Sequence, residues 1–193
     1  MMYDKRLCGI YTDLRCVTTD DAEATLRMRL DHNKARFLHP IENNVEKQRE
    51  WISKQIEREG DYYFLAISKE DEPIGTFSIY DIAGDEGRSG RLIMFGHALQ
   101  TFETNLIVYR FAFEYLGLNR ILNDVDERNI SSVRLSEMMG FCLEDAVPDT
   151  DLDRMVRFGS LTKDDFYKKR PDLEKKIYRG KRTPVMPWEN RVL

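Results

Sequence analysis

Three histidines, His32, His39 and His97, are the residues whose type suits proton transfer near neutral pH. His32 and His39 lie seven apart and His97 is remote, so with three scattered cysteines they form no metal-ligand set, and no metal is expected. His97 follows the apolar run RLIMF (91–95), and Asp81 closes PIGTFSIYDI (73–82). Each is a candidate base for a proton leaving an attacking nucleophile. His32 and His39 share the polar stretch DHNKARFLHPIEN (31–43) with Lys34 and Arg36, against Asp31 and Glu42, a balance that leans towards an anionic guest. A fourth stretch, NISSVRLSEMMGF (129–141), begins with residues able to cap a helix, Asn129 or Ser131, and stops at Gly140, where a left-handed residue ends helices.

These residues need elements to hold them. TDLRCV (12–17) reads as a strand, followed by a helix capped by Thr19 or Asp20 with Leu26, Met28 and Leu30 as its apolar residues. Residues 31–43 read as an exposed loop, and a second helix is expected from about Val45 to Glu59, stopped by Gly60. YYFLAI (62–67) and PIGTFSIYDI (73–82), separated by KEDE, make a hairpin. GDEGRSG (84–90) reads as a turn before a third strand, 91–95. A heavily buried helix runs from Glu103 to Leu116, its aromatic run Tyr109, Phe111, Phe113 and Tyr115 belonging to the core, with Gly117 as its stop. Then follow a strand, RILNDV (120–125), the helix of 129–141, and two closing strands, CLEDAV and DRMVRFGSL, joined by PDTD. The order β-α-α-β-β-β-α-β-α-β-β predicts an α/β fold, a mixed central sheet with helices on both faces.

The chain carries a net charge of −4, which points to neither a nucleic-acid partner nor a polybasic membrane anchor. Residues 161–193 hold ten Lys/Arg against five Asp/Glu, so +5 sits there and −9 on residues 1–160. That segment is read as a basic extension of one or two short helices and an extended end, not a second domain. The cysteines, Cys8, Cys16 and Cys142, have no CxxC spacing and suggest reduced thiols; with no signal-like or membrane-length apolar run, a cytoplasmic protein is expected.

With its late cap-helix-glycine segment, this order resembles the GNAT family of acetyl-CoA-dependent N-acetyltransferases over residues 11–160. Asn129, Ser132, Gly140 and Phe141 match the family's N-x-x-S/A…G-F segment in register, and AFEYLGLNRILNDVDERN (112–129) resembles the helix, strand and turn before it. The resemblance implies acetyl-CoA as acetyl donor, with Asn129 and Ser132 facing its pantetheine arm. The family's cofactor loop reads Q/R-x-x-G-x-G/A, and the aligned stretch is QTFETN (100–105), where Gln100 keeps its place but Glu103 and Asn105 replace glycines. Cofactor contacts are therefore expected from Gln100, Phe102, Glu103, Thr104 and Asn105. A carboxylate at Glu103 would repel a pyrophosphate unless it swings away, while asparagine tolerates left-handed geometry.

The N-terminal half is similar to bacterial GNATs that acetylate nucleotide-linked amino sugars, and less closely to those that modify ribosomal-protein N-termini. In such proteins the loop between the first two helices selects the acceptor, which places His32, Arg36 and His39 at the substrate. The transfer needs a donor to the thioester carbonyl, for which the resemblance implies the backbone of Phe95 or Gly96, and a partner for the leaving sulfur. Many GNATs place a tyrosine seven residues after the motif asparagine; here that position is Ser136, whose hydroxyl can serve the sulfur. His97 and Asp81 are the candidate bases. The expected reaction moves an acetyl group to a primary amine on a small molecule, preferably a sugar nucleotide. A protein N-terminal amine and a catalytically silent binding module are the alternatives. A homodimer is also expected, with Trp188 of the tail packing on a neighbouring copy.

Overall fold

A computed structural model of the chain describes residues 2–150 and 153–189. In chain order the elements are β1 (Leu7–Cys8), β2 (Asp13–Cys16), α1 (Ala22–Arg29), α2 (Val45–Glu57), β3 (Tyr62–Ile67), β4 (Pro73–Ala83), β5 (Glu86–Met94), α3 (Ala98–Arg110), β6 (Arg120–Asp126), α4 (Ile130–Met139), β7 (Cys142–Leu143), β8 (Val147–Asp149), β9 (Arg154–Thr162) and α5 (Lys163–Tyr178). The strands form one sheet in the order β1-β2-β3-β4-β5-β6-β9-β7, with β8 also on β9. Neighbours are antiparallel except β5 and β6, which run parallel. The expected mixed sheet with helices on both faces is what the chain builds.

Strand alternation assigns the faces. On β3, Tyr62, Phe64 and Ala66 join the main core with Leu106, Ile107 and Tyr109 of α3, Met139 of α4 and Phe166 and Leu173 of α5. Tyr63, Leu65 and Ile67 point the other way, to a smaller core with Ala22 and Met28 of α1 and Ile52 of α2. The chain thus has α3, α4 and α5 on one face and α1 and α2 on the other.

Several boundaries differ from the sequence reading. Residues 86–90 are strand, not turn, because β5 continues the hairpin from β4. The helix expected from Glu103 starts at Ala98, with His97 as its cap. Its last part, Phe111–Tyr115, is a π-helical turn, and Gly117 follows with a left-handed φ of 75°. The closing strand CLEDAV divides into β7 and β8.

Beyond Ser160 the chain stays in the fold. β9 continues to Thr162, and α5 is a single helix with Pro171 inside it, capped by Thr162, whose hydroxyl accepts the Asp165 amide. Residues 179–189 then strap across the π-helical turn. Met186 is fully buried, and the Trp188 ring lies 5.9 Å from both Phe111 and Tyr115 while its Nε1 donates to Glu114 at 2.8 Å. Trp188, expected against a neighbouring copy, thus packs on its own chain. Arg110, 1% exposed, donates to the Pro184 carbonyl and pairs with Glu114 and Glu189.

Candidate active site

The parallel pair β5–β6 is hydrogen-bonded over only three registers, Glu86–Arg120, Gly87–Ile121 and Arg88–Leu122. Past that point β5 stays with β4 as far as Met94 opposite Gly75, and β6 stays with β9 as far as Asp126 opposite Val156. The two strands therefore fork, closed at Arg88 and Leu122 and open between Met94 and Asp126. A bulge bends β5 along this open arm. Thr76 faces Ile93 and Ser78 faces Gly90, so Arg91 and Leu92 on β5 oppose one residue of β4. Arg91 adopts a φ of 54°, held there by its guanidinium, which grips buried Asp61 at 2.6 and 3.0 Å and stacks 4.5 Å over Tyr80.

On the α3–α5 face, Asn123 is the first residue of β6 beyond the last shared register. Its Nδ2 donates to the Ser136 hydroxyl of α4 at 3.0 Å, and both side chains are buried. Asn129 caps α4 by accepting the Ser132 amide at 3.3 Å, and Gly140 closes the helix with a φ of 103°. The segment that matched in sequence thus lies along the fork, with Ser136 near its closed end. Asn129 serves first as a cap.

The junction of β5 and α3 lies at the open end. The Phe95 amide donates to the Ile74 carbonyl at 2.7 Å, so it belongs to the β4 side and is not the donor expected for a carbonyl in the fork. At Gly96 a Cβ would stand 2.5 Å from Gln100 Oε1, so a side chain there would push Gln100 out of its cap. His97 and Gln100 form a reciprocal cap: Gln100 Oε1 accepts the His97 amide at 2.9 Å, and His97 Nδ1 accepts the Gln100 amide at 3.4 Å. His97 is exposed beside this cap, far along β5 from the closed end. The first turn of α3 holds no acidic residue.

QTFETN is therefore not a loop but the interior of α3, and the strand-to-helix junction is Phe95–Ala98. Thr104 and Asn105 are buried within the helix, where Asn105 Nδ2 donates to the Thr101 carbonyl, and Phe102 packs on the main core. The Glu103 carboxylate turns away from the fork and accepts the amides of Ile10, Tyr11 and Thr12 at 2.7, 2.7 and 2.8 Å. Burial, the largest influence, pushes its pKa up against the pull of those three amides and of Lys69. This carboxylate organises the loop between β1 and β2 and does not face the junction of β5 and α3.

The opposite face is lined with charge. Asp124 of β6 pairs with Arg88 at 2.6 Å and Arg154 at 3.6 Å, and Arg154 also holds Asp149 at 3.0 Å. The loop between α1 and α2 reaches over these groups: Arg154 donates to the Phe37 carbonyl at 3.4 Å, and Lys34 approaches the Phe95 ring at 6.0 Å. His32, Arg36 and His39 are exposed on this loop, with Arg36 stacked 4.6 Å over Phe37. Below it Arg29 donates to the His39 carbonyl at 2.5 Å, yet its Nε is buried without an acceptor and no carboxylate pairs with it among the described residues. Burial, with Arg91 as a like charge nearby, lowers its pKa.

Asp81 stands apart from all of this. It lies at the hairpin end of β4, beside the closed end of the fork, with a φ of 50° and a partner in Arg58 at 3.6 Å. Its half-exposed carboxylate is turned to Arg58, just past the end of α2, and makes no contact with Asn123 or Ser136. Asn123 and Arg29 escaped the sequence reading. The signal for Asn123 was present, since Ile121, Asn123 and Val125 share one side of a strand and an amide among core positions calls for explanation. For Arg29 no local signal stands out, because the groups that act on it electrostatically, Tyr63 and Arg91, lie far away in sequence.

Among the described residues no helix is long and apolar enough to cross a membrane, and no cluster of His, Cys, Asp and Glu fits a metal ion. The three cysteines are free thiols.

Comparison with known proteins accords with this geometry. A family model described as an acetyltransferase (GNAT) domain matches residues 12–142. The SPbeta prophage-derived uncharacterized N-acetyltransferase YokL of Bacillus subtilis (strain 168) is 27% identical over 111 residues, 52% of this chain. The chain spans only 59% of that relative's length. Among solved structures, apo FdhC, a nucleotide-linked sugar GNAT, superposes with a TM-score of 0.75 at 23% identity over 88% of this chain and 97% of its own. The ribosomal-protein-S5-alanine acetyltransferase of Vibrio fischeri gives 0.74 at 17% identity over 84% and 99%. At such identities these structures speak for the fold alone, whereas the family model covers more than half of the sequence, including the fork and the segment beside it. The chain belongs to the GNAT acetyltransferase family.

Proposed function

We propose that the protein transfers an acetyl group from acetyl-CoA to a primary amine, with a nucleotide-linked amino sugar as preferred acceptor. The observation that carries this reading is the fork between β5 and β6, opening towards a helix N-terminus that is free of acidic side chains. The residues fit the coenzyme. Amides in the first turn of α3 and the side-chain-free Gly96 suit a pyrophosphate, which helix N-termini attract. Asn129 and Ser132 border the gap in which the pantetheine arm would lie. When bound, acetyl-CoA supplies the thioester carbon that the amine attacks.

The protein's own groups do the rest. The bulge at Arg91–Leu92 turns β5 backbone out of its ladder with β4, where an amide can polarise a carbonyl in the fork. Ser136 stands beside the closed end and serves the leaving sulfur. The amine's proton passes to water at the open face, since Asp81 is paired with Arg58 and His97 is committed to its cap. Holding two reactants in one orientation supplies up to ~7–11 kcal/mol in favourable cases.

The preference for a sugar nucleotide rests on charge. Asp124 and Asp149 are already paired with arginines, which leaves Arg29 below the loop and Lys34 and Arg36 on it to meet an anion. A phosphate satisfies them; a basic peptide does not.

The test begins with thermal melting in millimolar acetyl-CoA, which should raise the midpoint by mass action. Release of free CoA is then followed with nucleotide-linked amino sugars and with peptides bearing N-terminal alanine. Turnover on the sugars that weakens in Arg29→Ala supports the assignment. Turnover confined to peptides overturns the acceptor, and no stabilisation by the coenzyme overturns the reaction.

A further inference from the structure

We propose that Asn123 is a positioning residue that aims the Ser136 proton into the fork, so that this hydroxyl donates to the sulfur of the departing coenzyme. The inference rests on the reading of Ser136 as the group beside that sulfur, and extends it to a residue that has no role in that reading.

A serine hydroxyl has one proton to give and two lone pairs to receive with. Asn123 Nδ2 occupies one lone pair at 3.0 Å, and among the described residues no acceptor takes the Ser136 proton. The hydroxyl is thus held as a donor with its proton unspent. Donation into Oγ also polarises the O–H bond, because hydrogen bonds in a chain strengthen one another. A serine alone is a weak substitute for a tyrosine as a partner for sulfur; a serine with an amide behind it is a better one.

The second observation is the other end of the amide. Asn123 Oδ1 is buried and has no donor among the described residues. It lies over Gly159, its register partner on β9, where a Cβ would stand only 2.3 Å from that oxygen. An asparagine kept for stability has both ends satisfied, as buried polar groups usually do. This one sits between Ile121 and Val125 on the core side of β6, where an apolar residue would pack without that penalty. Its oxygen is left unpaired, and a glycine is placed opposite, so that Nδ2 faces Ser136 at the point where β5 and β6 part.

In the transfer the amine nitrogen forms a bond to the acyl carbon, and the C–S bond breaks with its electron pair going to sulfur. The amine's proton leaves to water. Ser136 keeps its own proton and shares it with the thiolate, which takes a proton from solvent on release. Asn123 touches neither reactant.

Free CoA is the probe, because its thiolate absorbs in the ultraviolet and can be titrated while bound to the full chain. In the wild-type protein the bound thiol should ionise at lower pH than in solution. Ser136→Ala should raise that midpoint by about one pH unit, as expected for the loss of a hydrogen bond to a charged group. Asn123→Ala should raise it in the same direction, and the double variant should go no further than Ser136→Ala alone. Affinity for CoA below the titration should not move, which separates this effect from simple loosening of the sheet. Asn123→Leu keeps the volume without the donor, and gives the same reading should the alanine variant fold poorly. A wild-type midpoint in both Asn123 variants, with a raised one in Ser136→Ala, overturns the proposal and leaves Ser136 in place. An unchanged midpoint in Ser136→Ala removes Ser136 from the sulfur and Asn123 with it.

Discussion

Glu103 shows how one carboxylate can serve as an internal anion. Three consecutive amides, those of Ile10, Tyr11 and Thr12, converge on it from a loop about ninety residues away, and Lys69 ties the same loop through the Gly9 carbonyl. Glu103→Gln replaces one acceptor oxygen by a donor facing N–H groups, so it should lower stability by about 1–3 kcal/mol at neutral pH. The pH dependence has a definite sign. Burial raises the folded-state pKa, so the native protein holds a proton that the unfolded chain has lost between the ordinary value of about 4.3 and the raised one. Wild type should therefore gain on the glutamine variant as pH falls through that window, which denaturant melts at several pH values would read. From sequence, Glu103 looked like an obstacle to phosphate binding. Residue type was legible and direction was not, because direction depends on a loop brought in from the other end of the domain. Ser136 is different: its place seven residues after Asn129 fixed its side of α4, and the structure puts it against β6 as a helix of that register must.

Element boundaries depended on signals of unequal strength. α4 was readable because Asn129 and Gly140 are strong start and stop residues. α3 starts five residues before the position its apolar pattern predicts, because histidine is a poor advertisement for a cap; the cue is Gln100 at the third helical position, reaching back to the His97 amide. That shift moved the expected cofactor contacts onto helix interior. The bulge in β5 was likewise hidden, since RSGRLIMF contains nothing to mark Arg91 as left-handed. Its conformation is imposed by Asp61, which is 1% exposed and gripped by the Arg91 guanidinium. Arg91→Ala would remove the short ion pair of that buried carboxylate and leave it the Gln55 amide at 3.1 Å and the longer Arg58 contact at 3.8 Å. A loss of about 3 kcal/mol is expected, readable in chemical denaturation, with acetyl transfer slowed as the bulge relaxes.

For the whole molecule, the order of elements was largely legible, because hydrophobic period switches cleanly between strand and helix along residues 45–139. The role of the C-terminal part was not. Its charge drew attention to its surface, while Phe166, Leu173, Ile177, Tyr178 and Met186 face inward to the main core. Ending the chain at Ser160 should abolish cooperative melting, since it uncovers α3. Ending it at Gly180 keeps α5 but removes the strap over Phe111 and Tyr115 and takes Glu189 from Arg110. That shorter chain should fold with a lowered melting temperature.

The forked pair has a consequence for the sheet as a whole. Where β5 and β6 part, each presents a margin of main chain to the other, and among the described residues no strand completes the ladder between them. Extended, amide-bearing pantetheine has the width and the hydrogen-bonding groups of a short peptide. A coenzyme lodged there would act as a missing strand, so the protein would be most fully a single sheet only while it holds its reactant.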